Sequence, residues 1–108
     1  MIASAELIKK AAEEELRSAN ENHPLFASMH EAYAVAKEEF EEAEEAMEDC
    51  KTYMQIMWEN IKKDDEITTE VCSYQIESAA LAAAAELCQL AAMMQKTRQS
   101  LAKRRENG

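Results

Sequence analysis

Apolar residues in the middle of this chain recur at alternating steps of four and three. Between residues 28 and 61 they fall at Met29, Tyr33, Ala36, Phe40, Ala43, Met47, Cys50, Met54, Met57 and Ile61, the spacing of a helix with one apolar seam. Ile67, Val71, Tyr74, Ser78, Leu81, Ala85, Cys88 and Ala92 repeat the alternation and mark another helix over about 68–103. Between the two lies Lys62-Lys63-Asp64-Asp65-Glu66, a charged run with no apolar residue. A chain that folds back near residue 64 sets residues level when their numbers total about 128. That register pairs the two stripes: Ile61 with Ile67, Met57 with Val71, Met54 with Tyr74, Met47 with Leu81, Phe40 with Cys88 and Ala36 with Ala92. The pattern predicts a long antiparallel helical hairpin.

A shorter, more weakly patterned helix is expected within 1–22, from about Ala3 to Ala19. It is closed by the polar run Asn20-Glu21-Asn22 and by Pro24, which disfavours helix in the residue before it. The last helix carries another stripe, Ile76, Ala80, Ala83, Leu87, Leu90, Met94 and Leu101, which the hairpin partner cannot cover. A second copy of the chain is the expected cover. The fold class is therefore all-α, one domain over residues 1–108, completing a four-helix bundle by dimerisation.

Composition agrees with helix throughout, since the chain has one glycine and one proline and is dominated by strong helix formers. A net charge of −10 argues against a nucleic-acid groove, which needs clustered Lys and Arg. The basic residues that do cluster, Lys96, Arg98, Lys103, Arg104 and Arg105, suit the carboxyl end of a helix; the other reading is a basic arm for a polyphosphate. Cys50, Cys72 and Cys88 lack metal or CxxC spacing and read as buried free thiols. No leader or uncharged 18-residue apolar segment stands out, so no membrane contact and a cytoplasmic location are expected.

The acidic residues hold the candidate chemistry. Most of those on the middle helix form a solvated face, but Glu39 and Glu42 fall on an apolar flank with Ala32, Val35, Ala46 and Tyr53. Glu86 is the sole acidic residue between Ser78 and Arg105 and lies between two apolar stripes. The hairpin register sets Glu42 level with Glu86 and Glu39 level with Gln89, with small alanine layers nearby. Converging carboxylates repel, at about 4 kcal/mol per pair at 4 Å and an effective dielectric near 20. A divalent cation offsets this, and oxygen donors suit Mg²⁺; exposure at a dimer rim, or Lys and Arg from a mate, are the other ways to relieve it. His23 and His30 read as loop and helix-start residues.

Lys37-Glu38-Glu39-Phe40-Glu41-Glu42 resembles the EExxE motif of the MazG-like, all-α nucleoside triphosphate pyrophosphohydrolases, and Glu86-Leu87-Cys88-Gln89 resembles their following ExxD motif, with glutamine in the aspartate position. The likeness extends over about 23–100, including a phage-associated branch of the family, although the stretch between motifs is longer here. The resemblance implies Mg²⁺ held by Glu39, Glu42 and Glu86, and Glu38 as the catalytic residue orienting or deprotonating water. Gln89 would be a neutral metal ligand or hydrogen-bond donor. It also implies a nucleoside triphosphate substrate, cleaved to monophosphate and pyrophosphate, and a homodimer or tetramer. Two further readings stand beside it: a non-catalytic oligomeric bundle of the same fold, and an acidic mimic of nucleic-acid charge.

Overall fold

The computed structural model describes residues 2–23 and 25–107 and contains three helices there, α1 (Ile2–Asn22), α2 (Met29–Lys62) and α3 (Glu66–Asn107). α1 runs three residues past its expected end at Ala19. Pro24, expected to help close it, lies outside the described residues.

Three of the helix boundaries have a local cause. Ser28 caps α2, its Oγ accepting a hydrogen bond from the Glu31 amide at 3.1 Å, in a Ser-x-x-Glu pattern favourable at helix starts. The α2–α3 turn is built from two aspartates. Asp64 adopts φ 60°, the left-handed conformation that ends many helices. Its amide donates to the Ile61 carbonyl at 3.1 Å, while the Asp65 amide reaches the Asn60 carbonyl at 2.9 Å. Asp65 then caps α3: Oδ1 accepts from the Thr68 amide at 3.0 Å and Oδ2 from the Thr68 hydroxyl at 2.7 Å. Those two bonds hold the Asp65 carboxyl below its ordinary pKa. The charged run thus turns the chain without glycine.

The chain divides into two compact units, one of Met1–Phe40 with Glu86–Gly108, the other of Glu41–Ala85. Inside the second unit the expected register holds. Ala46, Asp49 and Tyr53 share a groove with Ala82, Ala79 and Gln75, pairs that each total 128, and the Cys50 thiol donates to the Ile76 carbonyl at 3.9 Å. Inside the first unit Glu39 stands against Gln89, in the same register. There α1 contributes Ala12, Leu16 and Ala19 to the interior, and the Asn20 amide donates to Gln99 Oε1 at 3.0 Å.

The helix faces differ from expectation. On α2 the inward positions are Ala32, Ala36, Glu39, Ala43, Ala46, Cys50, Tyr53, Met57 and Asn60, while Tyr33, Phe40, Met47, Met54 and Ile61 are exposed. Half of the expected seam is therefore replaced by positions one residue earlier. On α3, Ile67, Val71, Tyr74 and Leu81, all expected inside, are exposed, and Thr68, Cys72, Gln75, Ile76, Ala79, Ala83 and Glu86 point inward. The physical reason is side-chain size. A face of alanines lets two helix backbones approach closely, and that approach turns the larger Met, Phe and Leu side chains outward.

The cysteines are free thiols, Cys72 buried and Cys50 and Cys88 half-buried. α3 is long and apolar enough to cross a bilayer by length and composition, with 17% of its most apolar stretch buried. That departs from the expectation that no such segment exists, although core helices of soluble proteins pass the same test. Lys96, read with the basic tail, is instead buried at 4% exposure, whereas Arg98, Lys103, Arg104 and Arg105 are exposed.

Candidate metal centre

Glu39 sits on α2 at an inward position because the alanine face, rather than the Tyr33–Phe40–Met47 line, turns toward α3. Glu42 follows one helical turn later on the same uninterrupted α2, and Glu86 lies on α3. Each offers one carboxylate oxygen, and the three oxygens lie within 4.8 Å of one another. Glu39 and Glu86 are half-buried and Glu42 is exposed. No other such grouping of His, Cys, Asp and Glu occurs among the described residues.

Gln89 joins this group. Carboxylate oxygens of Glu86 and Glu39 both face its amide, so the amide nitrogen points at them, because a carboxylate only accepts. In that orientation it donates to Glu86 Oε2 at 3.1 Å and to Glu39 Oε2 at 2.6 Å. An aspartate here would add a fourth negative charge; the glutamine instead ties two carboxylates together.

The donor set fits a hard divalent cation. Oxygens bound to one Mg²⁺ at about 2.0–2.1 Å lie no more than about 4.2 Å apart, so carboxylates already within 4.8 Å need only small side-chain rotations to meet it. The set contains neither His nor Cys, which zinc prefers.

Glu38 is exposed and outside the converging group. His23 lies in the bend after α1 and His30 at the second position of α2, both exposed. Of the aromatics on α2, Tyr53 is half-buried between α2 and α3, whereas Tyr33, Phe40 and Trp58 are exposed.

A separate cavity was not foreseen from sequence. It occupies about 400 Å³ beside Phe26, Val35, Met93 and Lys96, with His23 and Glu31 on its wall. Its only sequence signal is a lysine in the stretch Ala91-Ala92-Met93-Met94-Gln95-Lys96, which blends into the basic tail. No family model, curated protein or solved structure matches this chain.

Proposed function

We propose that this protein is a Mg²⁺-dependent nucleoside triphosphate pyrophosphohydrolase of MazG-like type, acting as a homodimer or a pair of dimers. The observation that carries the reading is the convergence of Glu39, Glu42 and Glu86 within 4.8 Å, on the residues that resemble the EExxE and ExxD motifs. Those three carboxylates would hold the ion, with Gln89 positioning two of them. Mg²⁺ bound there would neutralise phosphate charge and lower the pKa of a water molecule. The half-buried setting of Glu39 and Glu86 limits their motion, which favours a fixed reactive geometry. Glu38, on the open side of α2, would act on water only where substrate or a second subunit brings that water to it.

Screening the common nucleoside triphosphates for pyrophosphate release in millimolar Mg²⁺ tests the proposal. Release that disappears in Glu42→Gln and Glu86→Gln, and persists in Glu44→Gln, is expected. Absence of release with every common base would refute it.

A non-catalytic oligomeric helical module is the second reading, and the exposed large apolar side chains favour it. Tyr33, Phe40, Met47, Met54 and Ile61 are each 45–69% exposed at seven-residue intervals, the repeat with which one helix seats against another. A cytoplasmic homodimer would cover this line in either reading.

A further inference from the structure

We propose that the cavity around Lys96 binds a small, singly charged organic acid, with its acidic head on the lysine ammonium and an apolar or aromatic body against Phe26, Val35 and Met93. The cavity lies wholly within the unit formed by Met1–Phe40 and Glu86–Gly108 and shares no residue with the carboxylate cluster, so it stands or falls independently of the pyrophosphohydrolase reading.

Three observations converge on that ligand class. Lys96 is 4% exposed, a rare condition for lysine unless the charge is matched. Its ammonium makes one specific contact among the described residues, the Phe26 ring, whose centroid lies 4.9 Å from Nζ. A ring face offsets only part of an ammonium's desolvation, and no carboxylate among the described residues forms an ion pair with it. The space beside it is about 400 Å³, in the range of small-molecule sites.

The wall chemistry narrows the guest further. Ala19, Val35 and Met93 supply apolar surface, and Met adapts to irregular shapes. His23 offers a ring N–H donor in either protonation state. Glu31, on the same wall, repels a second negative charge, so a carboxylate or sulfonate suits the site better than a phosphate dianion. The pocket also has structural support. The Phe26 amide donates to Ser100 Oγ at 3.0 Å, and that hydroxyl donates to the Lys96 carbonyl at 2.9 Å, which ties the aromatic wall to the helical turn that carries the lysine.

The test titrates 1-naphthoate, and separately the neutral 1-naphthalenemethanol, into the full chain while following the Met93 methyl carbon-13 NMR signal. Naphthoate is expected to move that signal with a dissociation constant below about 1 mM and to bind at least about tenfold more tightly than the alcohol. Lys96→Met is expected to remove that preference and Lys96→Arg to keep most of it. If Lys96→Met does not fold, as judged by its helical circular dichroism, the acid-to-alcohol ratio of the unaltered chain decides alone. Equal affinity for acid and alcohol, no Met93 shift at about 10 mM ligand, or full naphthoate affinity in folded Lys96→Met would overturn the proposal.

Discussion

Replacing Glu86 by glutamine separates the electrostatic cost of the carboxylate cluster from its use, because the cost shows without metal and the use only with it. Glu86 contributes an oxygen within 4.8 Å of those of Glu39 and Glu42. At that distance two unit charges repel by about 3.5 kcal/mol at an effective dielectric of 20 and by about 0.9 kcal/mol in bulk water. Glu42 is exposed and the other two half-buried, so solvent screening sets the cost near the lower figure, about 1 kcal/mol per pair. Removing the Glu86 charge deletes two such pairs and leaves an amide of the same shape. In EDTA, Glu86→Gln should therefore be more stable by about 1–2 kcal/mol, raising Tm by about 4–9 °C for a domain of this size. Added Mg²⁺ should close that gap. At about 10 mM Mg²⁺ and a site affinity near 1 mM, the unaltered chain gains about 1.4 kcal/mol by mass action, about 6 °C, while the variant gains little. Differential scanning calorimetry at fixed protein concentration, with Glu44→Gln as an exposed control, reads both effects. A variant no more stable than the parent in EDTA, together with equal Mg²⁺ shifts in both, would refute the metal-centre reasoning.

Other outcomes follow from the turn and the exposed faces. Asp65→Ala should lower Tm by a few degrees, because the Thr68 amide loses its cap, and Asp65→Asn should retain most of the stability. Since the Asp65 carboxyl is held below its ordinary pKa, its contribution is complete above the unfolded value and is lost as pH falls through the lower folded value. A thermal-melt series from pH 6 downward should fall less steeply in Asp65→Asn than in the parent. Asp64→Gly should raise stability by about 0.5–1 kcal/mol, since Asp64 holds a positive φ that glycine adopts without strain; chemical denaturation measures this. Paired Met47→Lys and Met54→Lys substitutions on the exposed α2 line should convert an oligomer to monomer by light scattering while preserving helical circular dichroism. An unchanged mass would exclude this line from any interface.

Sequence periodicity carried the helices, the turn near residue 64 and the level register, because each depends on chain-local signals: breaks, charged runs and the counting of residues from a fold-back point. Periodicity did not fix which side of each helix turns inward. Met47 and Ala46 are adjacent, both belong to alternating four-and-three series, and hydrophobicity alone favours the methionine. The choice went to the alanines, because it depends on how closely two backbones can approach. The Glu39–Glu42 flank remained legible for a related reason. It was noticed as a run of Ala32, Val35, Ala46 and Tyr53 interrupted by two acids, and the small residues Ala32 and Ala46 lie on the inward side of α2. Lys96 stayed hidden because a single lysine near a basic tail looks like part of that tail, and its burial depends on Phe26 arriving from the bend after α1.

The alanine face also bears on what lies outside one chain. Among the described residues the buried apolar side chains are Phe26, Cys72 and six alanines, at positions 12, 32, 36, 43, 83 and 92. An alanine methyl contributes about 0.8 kcal/mol on burial, against about 1.5–3 kcal/mol for Leu, Met or Phe, so the six together match only two or three large side chains. Meanwhile Phe40, Met47, Met54, Leu81 and Leu87 keep 44–67% of their surface exposed. An alanine core is thin for a chain of this length. A second surface that covers the large residues would supplement that core, and would stabilise the helices that carry Glu39, Glu42 and Glu86. Dimer formation and metal affinity should therefore be coupled: dilution below the dimer's dissociation constant should weaken the Mg²⁺-induced Tm shift, and Mg²⁺ should lower that dissociation constant by the same factor.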